Sequence, residues 1–376
     1  MRSTNKVYIQ GIDHLRGLAA LLVVLFHCIH RSGEITQAYV PANPLLSFFE
    51  EGHTGVALFI TITGFIFTTI IGDNQIVYSR FLRNRFLRIF PLLFIISFFT
   101  DLEASGVAGG DPLAMLKFFN LFGGGIYRGT WTLVVEFQFY LFFPIFYVYF
   151  RDNCKGTLKK YLPFAGMILV GLMFRLMFFM EKGNAQDVGY WTIFGRIDQF
   201  MLGAMASLFV QDIKAARIFQ NKFAGLAALI LGLVLATAMF HYFNIRQLYL
   251  RDPSSPDPLW LIESTAEGVM YAWLLVAWIW VLGSAEGRLV NIAAYIGSIS
   301  YSTYLIHFFV LDMVVKIMST YGITFSSDPF TNACAMAFLL VYPLTLVFST
   351  VTSELIEKPF FKYRVSYLKA NPAPVV

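Results

Sequence analysis

Charge is scarce in this 376-residue chain. Only 14% of its residues are charged, against roughly 25% in soluble domains, while 57% are hydrophobic. That balance excludes a sizeable soluble part. Cysteine is scarce too: Cys28, Cys154 and Cys334 form no CxxC and no metal-ligand spacing, so neither a disulfide framework nor a metal site is expected. Cys28 follows His27, but neighbouring helical residues point about 100° apart, which argues against a Cys–His nucleophile. No internal repeat and no low-complexity tract is present. The net charge of +5 would in a soluble protein raise the question of nucleic acid. In a chain this apolar it is a topology signal, because membrane proteins gather Lys and Arg on the cytoplasmic side.

Long apolar runs are what the sequence has. Stretches of about 17–25 apolar residues, long enough to cross a bilayer, lie near 12–30, 46–71, 87–104, 131–150, 161–180, 190–211, 223–243, 263–282, 297–320 and 330–353. The expected fold is therefore all-α: one integral-membrane domain over 1–376, with about ten transmembrane helices in one bundle. Turn and breaker residues separate the runs, as in Gly72-Asp-Asn74, Gly123-Gly-Gly125, Gly183-Asn184 and Asp252-Pro-Ser-Ser-Pro-Asp-Pro258. Arg2 and Lys6 before the first run suggest a signal peptide. Asp13 and Arg16 interrupt that run and no small-residue cleavage site follows, so a retained first span is expected.

The basic residues orient the bundle. With the N-terminus inside, the inner side carries Arg2, Lys6, Arg80, Arg83, Arg85, Arg88, Arg151, Lys155, Lys159, Lys160, Lys214, Arg217, Lys222, Arg288, Lys358, Lys362, Arg364 and Lys369. The outer side has Arg31, Lys117, Arg128, Lys182, Arg246 and Arg251. Every loop pair agrees, which predicts an integral membrane protein, in a bacterial inner or plasma membrane, with both termini cytoplasmic.

Within the first span, Arg16 and His27 stand eleven residues apart. On a helix that is about three turns, which puts them within about 20° of one another and about 16 Å apart along the axis. A cation and an imidazole on one stripe are expensive in lipid and by default suggest a site. The alternative is that Arg16 snorkels to a headgroup and His27 marks the far interface. Asp13, Ala20, Val23 and His30 share the same stripe, and small Ala20 predicts a slot for a slender ligand. His27 and His30 at i, i+3 also form a weak metal half-site.

Three further constellations stand out. The inner loop Ser79–Pro91 holds Arg80, Arg83, Arg85 and Arg88. Arginine's planar fork suits phosphate and diphosphate, but an ordinary positive-inside cluster on anionic lipid would look the same. Glu136, a few residues into span four, shares a face with Thr132 and Tyr140 and must pair or face a cavity; Arg196, entering span six beside Asp198, is a structural partner for it. Span nine carries Ser300, Thr303, Tyr304 and His307 along one stripe, where a histidine bonded within the bundle competes with a catalytic one.

Taken in order, these pieces resemble the acyltransferase-3 family of integral-membrane acyl transferases. The resemblance rests on Arg16 and His27 in an R-x10-H arrangement, Gly52-His-Thr-Gly-Val-Ala-Leu-Phe-Ile-Thr-Ile-Thr-Gly-Phe65, Arg85-Phe-Leu-Arg88 with Pro91, and Trp131-Thr-Leu-Val-Val-Glu136 with Phe139-Tyr140. It continues through Arg196-Ile-Asp198 with Gly203, Ser300-Tyr-Ser-Thr-Tyr-Leu-Ile-His307 and Glu357-Lys-Pro359. Thr63 and Thr132 stand where serine is usual, and each keeps a hydroxyl. Many relatives carry an added C-terminal hydrolase-like domain; the stand-alone form is expected here.

The resemblance implies transfer of an acyl group, usually acetyl, from cytoplasmic acyl-CoA to a hydroxyl of a cell-surface carbohydrate or its lipid-linked precursor. Arg85, Arg88 and Arg16 would hold the CoA phosphates. His27 would be the general base, with Glu136 orienting it or binding the sugar. Trp131, Arg196, Asp198, Tyr304 and His307 would contact the acceptor. Acyl-CoA (acetyl-CoA by expectation), the bilayer and a carbohydrate are the implied partners; no metal and no nucleic acid are expected. The reading from another class is a transporter or lipid flippase using the same polar stripe, although paired Gly/Pro-interrupted spans in two halves are missing.

Overall fold

The computed structural model describes residues 8–31, 41–105, 130–248, 257–283 and 285–369. The expected outer loop near 105–130, most of that near 244–262, and the side chains of Arg2, Lys6, Arg31, Lys117, Arg128 and Arg251 lie outside the described residues or side chains.

In lipid every backbone N–H and C=O must be satisfied within the chain, and a long apolar run meets that condition as a helix. The helices in chain order are α1 (Gln10–Arg31), α2 (Ser47–Glu50), α3 (Gly55–Ile71), α4 (Tyr78–Ser105), α5 (Trp131–Asn153), α6 (Leu162–Lys182), α7 (Gln186–Trp191) and α8 (Ile193–Ala215). They continue with α9 (Lys222–Ile245), α10 (Glu263–Leu282), α11 (Arg288–Ser298), α12 (Ser300–Tyr321), α13 (Pro329–Met336), α14 (Tyr342–Thr352) and α15 (Lys358–Phe361). Among the described residues, nine helical runs are long and apolar enough to cross a membrane by length and composition; α4, which holds the tenth expected run, is not one of the nine. The chain is an all-α polytopic membrane protein.

Several expected boundaries shift for local reasons. The run near 87–104 belongs to α4, which also takes in Ser79–Pro91; that segment is helix rather than loop. The run near 46–71 is broken: α2 and a 3₁₀ turn, Gly52–Thr54, precede α3. The break lets the chain approach α1, where a Cβ on Gly52 would lie 2.3 Å from the Leu22 carbonyl oxygen and one on Gly55 2.5 Å from that of Ala19. The run near 190–211 divides at Thr192, whose hydroxyl caps α8 by accepting from the Gly195 N–H. The run near 297–320 starts at the junction of α11 and α12. The last run is one helical stretch from Pro329 to Phe361, with π-helical segments at Ala337–Val341 and Ser353–Glu357.

Helix α1 is central and mostly buried, packed by α3, α10, α11, α12 and α13. Helices α6 and α9 are peripheral. Each presents exposed apolar side chains, among them Met173, Met177 and Met180 on α6 and Phe223, Ile230 and Val234 on α9, as expected of lipid-facing surfaces. Small residues let the inner helices meet backbone to backbone. A Cβ on Gly64 of α3 would lie 2.0 Å from the Phe200 carbonyl oxygen of α8, and one on Gly203 of α8 would lie 1.9 Å from that of Thr61. At the basic end, strand β1 (Gln75–Ile76) pairs antiparallel with β2 (Leu368–Lys369), tying the last described residues to the α3–α4 connection.

Candidate active site

Helices α1, α3, α4, α5 and α12 enclose a cavity of about 240 Å³ at the basic end of α1. Four guanidinium groups line it: Arg16 from α1, Arg85 and Arg88 from α4, and Arg364 from the segment after α15. Arg80 and Arg83 do not line it. On a helix, positions 85 and 88 share a face with Asn84, and that face alone turns inward.

Among the described residues, Arg85 and Arg364 keep buried nitrogens without an acceptor. Arg16 reaches Asp13 at 3.4 Å and has Arg88, Glu136 and Glu357 as charged neighbours. Arg85 is steadied by rings, its guanidinium carbon 5.0 Å from the Phe67 centroid and 5.6 Å from that of Phe81. Its buried Nε finds no acceptor. Arg364 leaves both Nε and Nη2 buried without an acceptor. Burial, together with repulsion from Arg88 and Arg85, holds the Arg364 pKa well below the ordinary guanidinium range. Buried donors left unmade cost about 1–3 kcal/mol each, a cost that an anion in the cavity would offset.

The expected slot beside Ala20 is closed. Ala20 and Val23 are buried in contact with their neighbours, and the cavity runs instead between α3, α5 and α12, past Phe59, Thr63, Thr132 and Tyr304. There Thr63 Oγ1 donates to Glu136 Oε1 at 2.9 Å, and Thr132 Oγ1 donates to the Tyr304 hydroxyl at 2.9 Å. Both residues that replace the family's usual serine thus use their hydroxyl to join two helices.

His27 sits beyond this end of the cavity, next to His307. Its Nδ1 lies 2.8 Å from the Val23 carbonyl oxygen and 3.3 Å from His307 Nε2, and His307 Nδ1 lies 2.7 Å from the Tyr304 carbonyl oxygen. A carbonyl can only accept, so both rings carry their proton on Nδ1. The His27 Nδ1–H therefore donates to the Val23 carbonyl, with His307 Nε2 a longer neighbour at 3.3 Å, and Nε2 is the basic nitrogen of His27. His307 stands next to His27, whereas Glu136, expected to orient His27 or to bind the sugar, bonds Thr63 inside the cavity. His27 and His30 also diverge, since His30 Nε2 lies 3.5 Å from Glu50 Oε1. They do not form the metal half-site their spacing allowed.

The expected acceptor residues separate into two groups. Tyr304 lines the cavity and His307 adjoins it, whereas Trp131, Arg196 and Asp198 lie elsewhere. Arg196 is buried, donating to Glu267 Oε2 at 3.0 Å and to the Tyr190 carbonyl at 3.0 Å, with Tyr190 and Trp131 rings against its guanidinium. It does not pair with Glu136. Asp198 accepts from Arg175 at 2.8 Å and from Thr265 at 2.5 Å. Arg175 and Asp198 are both fully buried, and Gln199 adds a bond to Glu267 at 3.0 Å. This is a polar network joining α6, α8 and α10. Arg175 carried a signal in the sequence, as a cation in the middle of an apolar run must find a partner.

The acyltransferase domain family matches residues 9–354, a stretch containing every residue that lines the cavity except Tyr8, Arg364 and Tyr367. The chain belongs to the acyltransferase-3 family. Among its relatives are a predicted O-acetyltransferase of Staphylococcus aureus (strain COL), 20% identical over 97% of this chain and 59% of that protein, and a predicted acetyltransferase of Acidianus two-tailed virus, 24% identical over 86% of this chain and 90% of that protein. A predicted peptidoglycan O-acetyltransferase of Bacillus subtilis (strain 168) is 22% identical over 49% of this chain and 31% of its own length. The chain thus spans 59% of the length of the first of these acyltransferase-3 relatives. No solved structure matches it at the same stringency.

Proposed function

We propose that this acyltransferase-3 protein is an O-acyltransferase that moves an acyl group, acetyl by its relatives' names, from acyl-CoA to a hydroxyl of a carbohydrate. One observation carries the reading: an arginine-lined cavity opens at one end of α1, and a histidine pair stands three turns along the same helix. Arg16, Arg85 and Arg88 bind the donor's phosphates, and the thioester arm extends along α3 toward Thr132 and Tyr304. His27 Nε2 takes the proton of the acceptor hydroxyl as its oxygen attacks the thioester carbonyl. The carbon–sulfur bond breaks, the thiolate leaves and is protonated, and an ester and free CoA result. The Val23 carbonyl, accepting from Nδ1–H, keeps His27 in the tautomer this requires, and the His307 ring packs beside it. Glu136 with Tyr304 lines the path of the arm.

The two pairs of α4 arginines provide the test. Purified Arg88→Ala should bind CoA about ten- to a hundredfold more weakly by calorimetry, the worth of a charge-assisted phosphate contact. Arg80→Ala should bind as the wild type does, because Arg80 is exposed and reaches only the Ser366 carbonyl at 3.4 Å. Equal and negligible effects at both positions would remove the donor from this cavity.

The basic end of the bundle faces the cytoplasm in this proposal, where acyl-CoA is available, and both termini lie on that side. Reporter fusions at Lys155 and Arg217 should report inside and one at Gly183 outside. One reversed loop would break this topology.

A further inference from the structure

The segment after α15 is held across the cavity mouth by more than the β1–β2 ribbon. The Val77 N–H donates to the Tyr367 carbonyl at 2.8 Å. Asn84 clamps Val365 from both sides, its Nδ2 donating to the Val365 carbonyl at 2.7 Å and its Oδ1 accepting from the Val365 N–H at 3.1 Å. These bonds fix the backbone next to Arg364. The Arg364 N–H bonds the Phe361 carbonyl at 3.1 Å, and its guanidinium carbon lies 3.5 Å from the Phe361 ring centroid. Backbone and side chain are therefore set before any ligand arrives, yet two of the guanidinium's buried nitrogens find no acceptor among the described residues. The carboxylate of Glu357 is bonded to Ser302 and shared electrostatically among Arg88, Arg16 and Arg364, and it accepts no hydrogen bond from the Arg364 Nε or Nη2.

We infer that Arg364 is a fourth anion-binding guanidinium of the cavity, delivered by the C-terminal strap, and that it contacts a phosphate or diphosphate group of the acyl donor. The inference rests on the donor reading above. It goes further in assigning a role to a residue that lies beyond the part of the chain matched by the acyltransferase domain family, 9–354. A phosphate could reach this site from a soluble donor or from a lipid headgroup, and the two are separable.

The experiment is calorimetric titration of the full chain with CoA in neutral detergent, repeated after adding phosphatidylglycerol. Wild type, Arg364→Gln, Arg364→Lys and Arg88→Gln are compared, each first checked for a single symmetric species on gel filtration. Arg364→Gln should bind CoA about ten- to a hundredfold more weakly. Arg364→Lys should fall between, since an ammonium keeps the charge but loses the fork. In turnover, Arg364→Gln should raise KM for the acyl donor and leave kcat nearly unchanged. If Arg364→Gln binds CoA as the wild type does while Arg88→Gln does not, the role of Arg364 is overturned and the donor site stands. If phosphatidylglycerol competes with CoA for the wild type but not for Arg364→Gln, and CoA affinity is the same in lipid-free wild type and variant, the anion is a headgroup and the inference fails. If the wild type binds no CoA, the donor reading falls and the inference with it.

Discussion

Replacing His27 by alanine should slow acyl transfer by about 10²–10⁴-fold, the usual worth of a positioned general base, with the protein still folded in the membrane. The arithmetic favours so large an effect because the neighbourhood holds no substitute. His307 is the next imidazole, but its Nδ1 proton is committed to the Tyr304 carbonyl and its Nε2 faces His27 rather than the cavity. Affinity for CoA should barely change, because Arg16 lies about three turns away along α1 and Arg85 and Arg88 line the same end of the cavity from α4. Rate measured as thioester-dependent release of CoA, with binding measured separately, distinguishes the two quantities. A loss under tenfold would remove His27 from the base role. His307→Ala should cost less than His27→Ala, since it removes a ring packed beside the base and leaves the base with its Val23 carbonyl partner.

The largest stability effect is expected at Asp198. It and Arg175 are both fully buried and joined at 2.8 Å, and Thr265 completes the carboxylate. Removing one partner of such a pair strands the other charge and typically costs about 3–5 kcal/mol. Asp198→Ala should therefore melt well below wild type in detergent. The double variant Arg175→Met/Asp198→Leu should lose less than either single variant, because no uncompensated charge remains. An acceptor-binding Asp198 would behave in the opposite way, with an unchanged melting temperature and a raised KM for the acceptor. That outcome would return Asp198 and its neighbour Arg196 to the substrate site.

How much of this was legible depended on whether a signal was local. The helical stripe that joins Arg16 to His27 follows from spacing alone, as does the need of Glu136 for a partner or a cavity. Which partner a buried group finds is not local. His27 meets His307 across 280 positions of sequence, and Arg196 bonds Glu267 of α10, a carboxylate that looked like the edge of an apolar run. The arginines near position 85 were readable as a phosphate site or as a topology signal, and composition could not divide them. Their helical phase, once Ser79–Pro91 is seen to be helix, separates Arg85 and Arg88, which line the cavity, from Arg80 and Arg83, which do not. Arg364 was counted only among the inner charges, because nothing in Lys362-Tyr-Arg364 indicates that a strand pair and Asn84 fold it back over the cavity. The slot expected at Ala20 failed for a similar reason: a small side chain frees space only if no neighbour fills it, and here Gly55 brings the backbone of α3 against α1.

Thr63, which holds the Glu136 carboxylate, is followed at once by Gly64, where the backbones of α3 and α8 touch. The same contact that seats α3 also sets the height and rotation of the Thr63 hydroxyl, so the wall of the cavity cannot drift without prising two helices apart. A donor entering such a chamber meets walls already in position. Little of its binding energy is lost to arranging the protein, and more is left to hold the thioester against the histidines. The lipid-facing methionines of α6 can vary in size with little consequence for chemistry, whereas one methyl group at Gly64 or Gly203 would be felt as far away as the reacting carbonyl.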